Sequence, residues 1–179
     1  MDYTEEKLRR VNRYDGIIVN IEVDRVKLVN GRETFREVVE HPGGACILPV
    51  DQEGNAYCVR QYRYPIGEQL LEAPAGKLEK GEDPLDAAVR ELSEETGFSA
   101  RRIVPLGGYY TSPGFSTEKL YLYLALDLTS GKAHPDEGEF LDVVKIPFRE
   151  LYEKVKNGEI TDGKTAIAVL QAACILADD

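Results

Sequence analysis

Glu82, Arg90, Glu91, Glu94 and Glu95 lie in one short run, residues 76–98, that reads GKLEKGEDPLDAAVRELSEETGF. Residues three and four apart share a face of an α-helix. If the run is helical, Glu91, Glu94 and Glu95 therefore project together. Like charges so placed cost roughly a few tenths of a kcal/mol per pair on an exposed helix. In a partly buried cleft they raise one another's pKa. Hard divalent cations remove that penalty, because they take oxygen ligands and also bind phosphate oxygens. The run thus points to metal ions and, behind them, a phosphate. A solvated charged face would account for the acids, but not for Gly76, Glu82, Arg90 and Gly97 at their offsets.

The local signals fix the helix that must carry these groups. Asp83 and Pro84 suit the N-cap and first helical positions, and Gly97 suits the C′ stop. Between them Leu85, Ala88, Val89 and Leu92 follow i, i+3, i+4, i+7 spacing, which predicts an amphipathic helix with an apolar side next to the acidic one. Ahead of it, CILPV (46–50) and AYCVRQYRY (56–64) read as strands around the turn 51–55, and QLLEAPAG (69–76) as a short strand running into a loop. Behind it, IVPLGGYYTS (103–112), KLYLYLALDL (119–128) and LDVVKI (141–146) read as strands. FRELYEKVKNG and KTAIAVLQAACILA read as two closing helices. At the front, 16–23 and 26–29 read as strands, Asn30-Gly31 as a hairpin turn and 33–41 as the return strand. The expected organisation is an N-terminal antiparallel β-unit over 1–42 and a mixed α/β (α+β) domain over 43–179, with Pro42-Gly43-Gly44 as punctuation.

Composition narrows the function classes. The 179 residues hold 32 acidic against 22 basic groups, a formal net charge of -10. A nucleic-acid polymer is a poor partner for such a surface, whereas a small phosphorylated ligand can bind where metal ions neutralise the site. Cys46, Cys58 and Cys174 are odd in number and show no close spacing, which reads as buried thiols in a reducing compartment. The charged start has no apolar signal region, and the apolar run 166–177 is too short to span a bilayer. A cytoplasmic protein with no membrane partner is expected. His41 and His134 give little material for a zinc site or a Ser-His-Asp triad. Neither GxSxG nor GxxxxGK[ST] occurs.

Gly, five residues, Glu, seven residues, then Arg-Glu-aliphatic-x-Glu-Glu-x-Gly-hydrophobic resembles the signature of the Nudix hydrolases. Gly76, Glu82, Arg90, Glu91, Leu92, Glu94, Glu95, Gly97 and Phe98 match it without departure. The resemblance implies a loop–helix–loop motif in a Nudix-type α/β/α sandwich with a mixed sheet. It also implies hydrolysis of a nucleoside diphosphate linked to another group. Glu91, Glu94 and Glu95, with the Ala75 carbonyl, become the expected metal site, for Mg²⁺ or in its place Mn²⁺. Arg90 becomes a residue that orients a carboxylate. Gly76, Glu82, Arg90 and Gly97 become the structural part of the motif.

The flanks resemble the ADP-ribose pyrophosphatase branch: Ser112-Pro113-Gly114, with Pro113 fifteen residues beyond Phe98, and the acidic loop Asp136-Glu137-Gly138-Glu139. In that branch the loop supplies a base and a further metal ligand. Glu137 matches the base and Glu139 the ligand, and the two roles are interchangeable. The resemblance carries substrate contacts onto Arg36, Glu37, Arg63, Lys77, Ser112, Pro113, Gly114 and Glu118; Lys77 departs from some relatives at its site. A guanidinium at Arg36 or Arg63 can also bind phosphate or stack on a base on its own chemistry. The resulting expectation is Mg²⁺-dependent cleavage of ADP-ribose to AMP and ribose 5-phosphate. Another nucleotide sugar or dinucleotide as substrate, and a sensor without turnover, stand as alternatives. The branch further implies a homodimer that exchanges its N-terminal β-unit.

Overall fold

The computed structural model describes residues 2–136 and 138–177 and divides into two compact units. The first holds the chain up to Gly43 together with Tyr109–Lys119. Its sheet is three antiparallel strands in the order β1 (Glu6–Asp15), β2 (Asn20–Lys27), β3 (Glu33–Glu40). The turn between β2 and β3 closes with the Gly31 N–H donating to the Leu28 carbonyl at 2.8 Å. Gly31 has φ 82°, a conformation glycine takes without a Cβ penalty.

Two expectations for this unit need correction. Residues 16–23 and 26–29 are not separate strands; one unbroken strand runs Asn20–Lys27. Asp24 and Arg25, which read as a break, stay in the ladder because Asp24 turns to the buried side and pairs with Lys7 at 2.5 Å. The chain also has β1, which its pattern does not announce. All ten of its residues are exposed, so it lacks the apolar alternation that marks a strand. It is held by its backbone ladder and by cations. Lys7, Arg10 and Arg13 all pair with Glu22, a residue only 3% exposed. Within the same unit, Tyr109–Lys119 is tied to β3. Val39 donates to the Phe115 carbonyl at 2.7 Å and accepts from Thr117 N–H at 3.0 Å.

The second unit holds the remaining elements, except that the end of β8 from Tyr109 and the first residue of β9, Lys119, belong to the first. In chain order they are β4 (Gly44–Pro49), β5 (Asn55–Arg63), β6 (Glu68–Glu72), β7 (Ala75–Lys77), α1 (Pro84–Thr96), β8 (Phe98–Tyr110), β9 (Lys119–Ser130), β10 (Leu141–Pro147), α2 (Phe148–Lys156) and α3 (Gly163–Leu176). One sheet runs β7-β4-β9-β8, with β4 antiparallel to β7 and parallel to β9. Another runs β10-β5-β6, antiparallel throughout. β4 is buried at all six positions, as a strand covered on both faces must be. Ala45 and Ile47 meet Ala87, Ala88 and Leu92 of α1. The alternate residues Cys46 and Leu48 point the other way, and α3 also packs on β4. This is the mixed α/β arrangement expected from the sequence. Among the described residues no helix is long and apolar enough to cross a membrane.

The caps of α1 are those read from the sequence. Asp83 accepts from the Leu85 N–H at 2.8 Å, Pro84 opens the helix, and Gly97 takes a left-handed φ of 73° with its N–H on the Ser93 carbonyl. The orientation of the helix differs from the predicted one. Leu85 and Val89 are exposed, whereas Glu91 and Glu95 are buried with Ala87, Ala88 and Leu92. The helix turns part of its acidic side inward. Apolar spacing alone marks the wrong edge, because two of the four apolar residues lie outside the packed stripe.

Candidate active site

The site is assembled where β7 meets α1. β7 pairs with β4 through Ala45↔Gly76 and Cys46↔Ala75, which brings the backbone of Ala75 and Gly76 beneath the inner face of α1. The Ala75 N–H donates to Glu95 Oε2 at 3.1 Å. A Cβ placed on Gly76 would lie 1.8 Å from Glu91 Oε1 and 2.7 Å from Oε2. Glycine at this position is therefore the room in which the Glu91 carboxylate sits. Gly97 has a comparable reason at the far end of the helix: a Cβ there would lie 2.5 Å from the backbone nitrogen of Ala133.

Arg90 organises the acids around it. Its Nε donates to Glu82 Oε1 at 2.9 Å, and Nη1 donates to Glu91 Oε1 at 2.6 Å and Glu94 Oε2 at 2.8 Å. Nη2 reaches Glu82 Oε2 and the Lys77 carbonyl. The hydrogen bond from Arg90 holds the Glu82 carboxyl below the usual range, and the three carboxylates raise the guanidinium further above its own. Glu82 also accepts from the Glu79 N–H at 2.8 Å, closing the loop ahead of the helix.

Glu91 and Glu95 are in the opposite condition. Burial pushes Glu91 up, and Glu94 and Glu139 add to that against the pull of Arg90. Burial also pushes Glu95 up, to about 8, with the charges of Glu91 and Glu139 acting in the same direction. The Ala75 N–H and the charge of Arg63 offset only part of this. Burial thus works against the ionised form of both carboxyls, and a cation placed between them would favour it. Their oxygens, beside the backbone of Ala75, are hard donors that fit a Mg²⁺-like ion. Among the described residues, no three His, Cys, Asp or Glu side chains are grouped to hold an ion unaided.

The expected residues fall into two groups. Ala75, Gly76, Lys77, Glu82, Arg90, Glu91, Glu94 and Glu95 come together around α1. Glu139 is exposed and closes a turn with Asp136, yet its charge reaches both Glu91 and Glu95. It borders a cleft of about 450 Å³ with Arg60, Tyr62, Gln69 and Phe140. Glu137 lies outside the described residues. Arg63 is in the same unit, at the end of β5. Arg36, Glu37, Ser112, Pro113, Gly114 and Glu118 belong to the first unit. There Arg36 is exposed on β3 and forks onto Glu5 at 2.6 and 2.9 Å, and Glu37 is exposed beside it. The Ser112 carbonyl accepts from Phe115 and Ser116, making an exposed turn of Pro113 and Gly114. Glu118 accepts from the Thr111 hydroxyl at 2.7 Å and lies 3.5 Å from His41 Nδ1.

Sequence reasoning missed a second polar cluster. Arg63 donates through Nε and Nη2 to the two oxygens of Glu72 at 2.7 and 2.8 Å. Lys164, at the start of α3, also bonds to Glu72 and lies 3.0 Å from Asp162. Burial pushes Glu72 up, but the hydrogen bond from Arg63 and the charge of Lys164 outweigh it and hold the carboxyl below its usual range. Glu72 and Lys164 are 92 positions apart, so no local pattern joins them. Asp162 as the α3 N-cap was readable, since its side chain accepts from the Thr165 N–H in the ordinary way.

These observations define an α+β domain with a glycine-framed, helix-borne carboxylate site. The NUDIX domain model matches residues 20–166, and the chain belongs to that family as a Nudix hydrolase, a class that generally needs a divalent metal. It is 38% identical over 167 residues to an ADP-ribose pyrophosphatase of Bacillus subtilis (strain 168), covering 92% of this chain and 90% of that protein. It is 40% identical over 169 residues to a methanol dehydrogenase activator of Bacillus methanolicus, covering 93% and 91%. A crystal structure of an ADP compounds hydrolase shares the fold with a TM-score of 0.85 at 20% identity, over 97% of this chain and 95% of that one.

Proposed function

We propose that the chain hydrolyses the pyrophosphate bond of ADP-ribose, giving AMP and ribose 5-phosphate, with Mg²⁺ as the working ion and Mn²⁺ able to replace it. The observation that carries this reading is the buried pair Glu91 and Glu95 against Ala75–Gly76, with Glu95 pushed up to about 8. The name of the Bacillus subtilis relative supports the choice of substrate.

Glu91, Glu94, Glu95, Glu139 and the Ala75 carbonyl are the proposed ligands. A bound divalent ion lowers the pKa of water and screens the charge on the diphosphate. The protein's own groups do the rest. Arg90 keeps the Glu91 and Glu94 carboxylates in place. A carboxylate of the 136–139 loop, Glu139 or Glu137, accepts the proton of the attacking water. The water oxygen bonds to one phosphorus, the bridging P–O bond breaks, and its electron pair leaves with the other phosphate. Arg63 and Lys77 are proposed to contact substrate, as are Arg36, Glu37, Ser112, Pro113, Gly114 and Glu118 of the first unit.

A homodimer is part of the reading, with the β-unit of 1–42 as its exchanged element and 43–179 as the catalytic domain. Tyr14, Ile17, Ile18 and Phe35 are all more than half exposed in the first unit, an apolar surface that a second copy would cover. Gel filtration at known concentration tests it. A cytoplasmic site of action is supported by the free thiols Cys46, Cys58 and Cys174, of which the first two are buried as expected and Cys174, against expectation, is exposed. The deciding experiment is a panel of ADP-ribose, nucleotide sugars and dinucleotides with Mg²⁺, products resolved by chromatography. AMP and ribose 5-phosphate from ADP-ribose at the highest kcat/KM supports the reading. Preference for a GDP-hexose or a flavin dinucleotide replaces the substrate, and absence of turnover on every compound leaves a sensor.

A further inference from the structure

The segment that leads into Gly76 is braced from α3. The buried Thr165 hydroxyl accepts from the Ala73 N–H at 2.7 Å. Lys164, 11% exposed along its side chain, bonds to the Glu72 carboxylate, which is 1% exposed. Glu72 occupies the Nε–Nη2 edge of Arg63 with both oxygens. A guanidinium presents two usable edges, so the Nη1 side is the one left to meet a ligand; it has no hydrogen-bond partner among the described residues. The Arg63 side chain is 40% exposed, and its charge is felt by Glu95. Arg63 and Lys164 oppose Glu72 and Asp162, so the cluster is neutral and has no need of the guanidinium's remaining edge.

We propose that Glu72 and Lys164 are positioning residues for Arg63: the start of α3 holds the Glu72 carboxylate, and that carboxylate fixes the guanidinium so that Nη1 meets the substrate's diphosphate. This rests on the reading of Arg63 as a substrate contact. Without Lys164, Glu72 keeps only Arg63, and the carboxylate is free to rotate and draw the guanidinium away from the substrate. Without Glu72, Arg63 loses the group that orients it. In both cases substrate binding weakens, while the bonds that Glu91 and Glu95 make to Arg90 and to the Ala75 N–H are left in place.

The test is a double-mutant cycle on KM for ADP-ribose with Mg²⁺, using Arg63→Ala, Lys164→Met, Lys164→Arg, Glu72→Gln and Arg63→Ala/Lys164→Met, with melting temperature recorded for each. Loss of a charge-assisted contact raises KM about tenfold or more in Arg63→Ala. The inference expects Lys164→Met and Glu72→Gln to raise KM by a comparable factor with kcat little changed. It expects Lys164→Arg to recover most of it, and the double variant to be no worse than Arg63→Ala. Purely structural damage would instead multiply the two effects. If Arg63→Ala raises KM but Lys164→Met and Glu72→Gln do not, or if the effects multiply, the positioning role is overturned. If Arg63→Ala leaves KM unchanged, the substrate contact and the positioning role fall together, while ADP-ribose turnover by the wild type still stands. Should Lys164→Met not fold, Glu72→Gln and Arg63→Ala/Glu72→Gln against Arg63→Ala decide by the same criterion.

Discussion

Replacing Glu95 by Gln separates stability from activity, because the burial of this proposed cation ligand makes its ionised form a strain on the metal-free fold. The folded carboxyl is pushed up to about 8 from an ordinary 4.5. The folded state therefore holds this proton more tightly than the unfolded chain does. Stability from that proton is fully present below pH 4.5 and is lost as pH rises through about 8. At about 1.4 kcal/mol per tenfold change in proton affinity, the gap is worth roughly 5 kcal/mol at most. Glu91, also raised, acts in the same sense. The carboxylates that the fold holds low, Glu72 and Glu82 among them, titrate below this window and do not mask it. Glutamine keeps the shape and cannot ionise. In chelator at pH 9, Glu95→Gln is expected to be more stable than the wild type by a few kcal/mol, or roughly 10 °C in Tm for a chain of this size. At pH 5 the two are expected to melt together. Mg²⁺ should raise the wild-type Tm at pH 9 and leave that of Glu95→Gln nearly unchanged. Thermal denaturation at pH 5, 7 and 9, with chelator and with Mg²⁺, reads all of this. A wild-type Tm that does not fall between pH 5 and 9 in chelator would refute the reasoning, as would a Glu95→Gln variant less stable than wild type at pH 9.

Gly76→Ala places a methyl carbon 1.8 Å from Glu91 Oε1. The carboxylate must move, so kcat should fall by about tenfold or more while far-UV circular dichroism stays native. Arg90→Ala releases Glu82, Glu91 and Glu94 together. It should weaken Mg²⁺ activation, read as a rise in the metal concentration for half-maximal rate, by about 10- to 100-fold if Arg90 acts as an outer-shell orienter. Thr165→Val leaves the Ala73 N–H without its buried acceptor and should cost about 1–3 kcal/mol in urea denaturation.

Much of the second unit was legible because its signals are local. Asp83, Pro84 and Gly97 bound α1 through capping chemistry that needs no partner elsewhere. The β4–β5 turn and the two closing helices follow from residue order for the same reason. The spacing Gly76–Glu82–Arg90–Glu91–Glu95 named the family because it encodes a turn, an ion-pair frame and a carboxylate pair together. What stayed hidden depends on distant partners. β1 carries no apolar pattern, and its place depends on Glu22 and Asp24 of the next strand. The inward turn of Glu91 and Glu95 depends on Ala75 and Gly76, whose small size is visible in the sequence but whose nearness is not. Leu85 and Val89 misled because apolar residues at helical spacing need not face the core. In the Arg63–Glu72–Lys164 cluster the first two residues meet across the β5–β6 pairing, and Lys164 reaches them from α3, 92 positions beyond Glu72.

The most direct measurement is single-turnover hydrolysis of ADP-ribose at saturating Mg²⁺ by the wild type, Glu91→Gln and Glu95→Gln, with products resolved. Equal amounts of AMP and ribose 5-phosphate from the wild type, abolished by chelator and reduced about 100-fold or more in both variants, is the expected result. A wild-type rate in either folded variant, or a rate indifferent to chelator, would contradict the assignment of these two buried carboxylates.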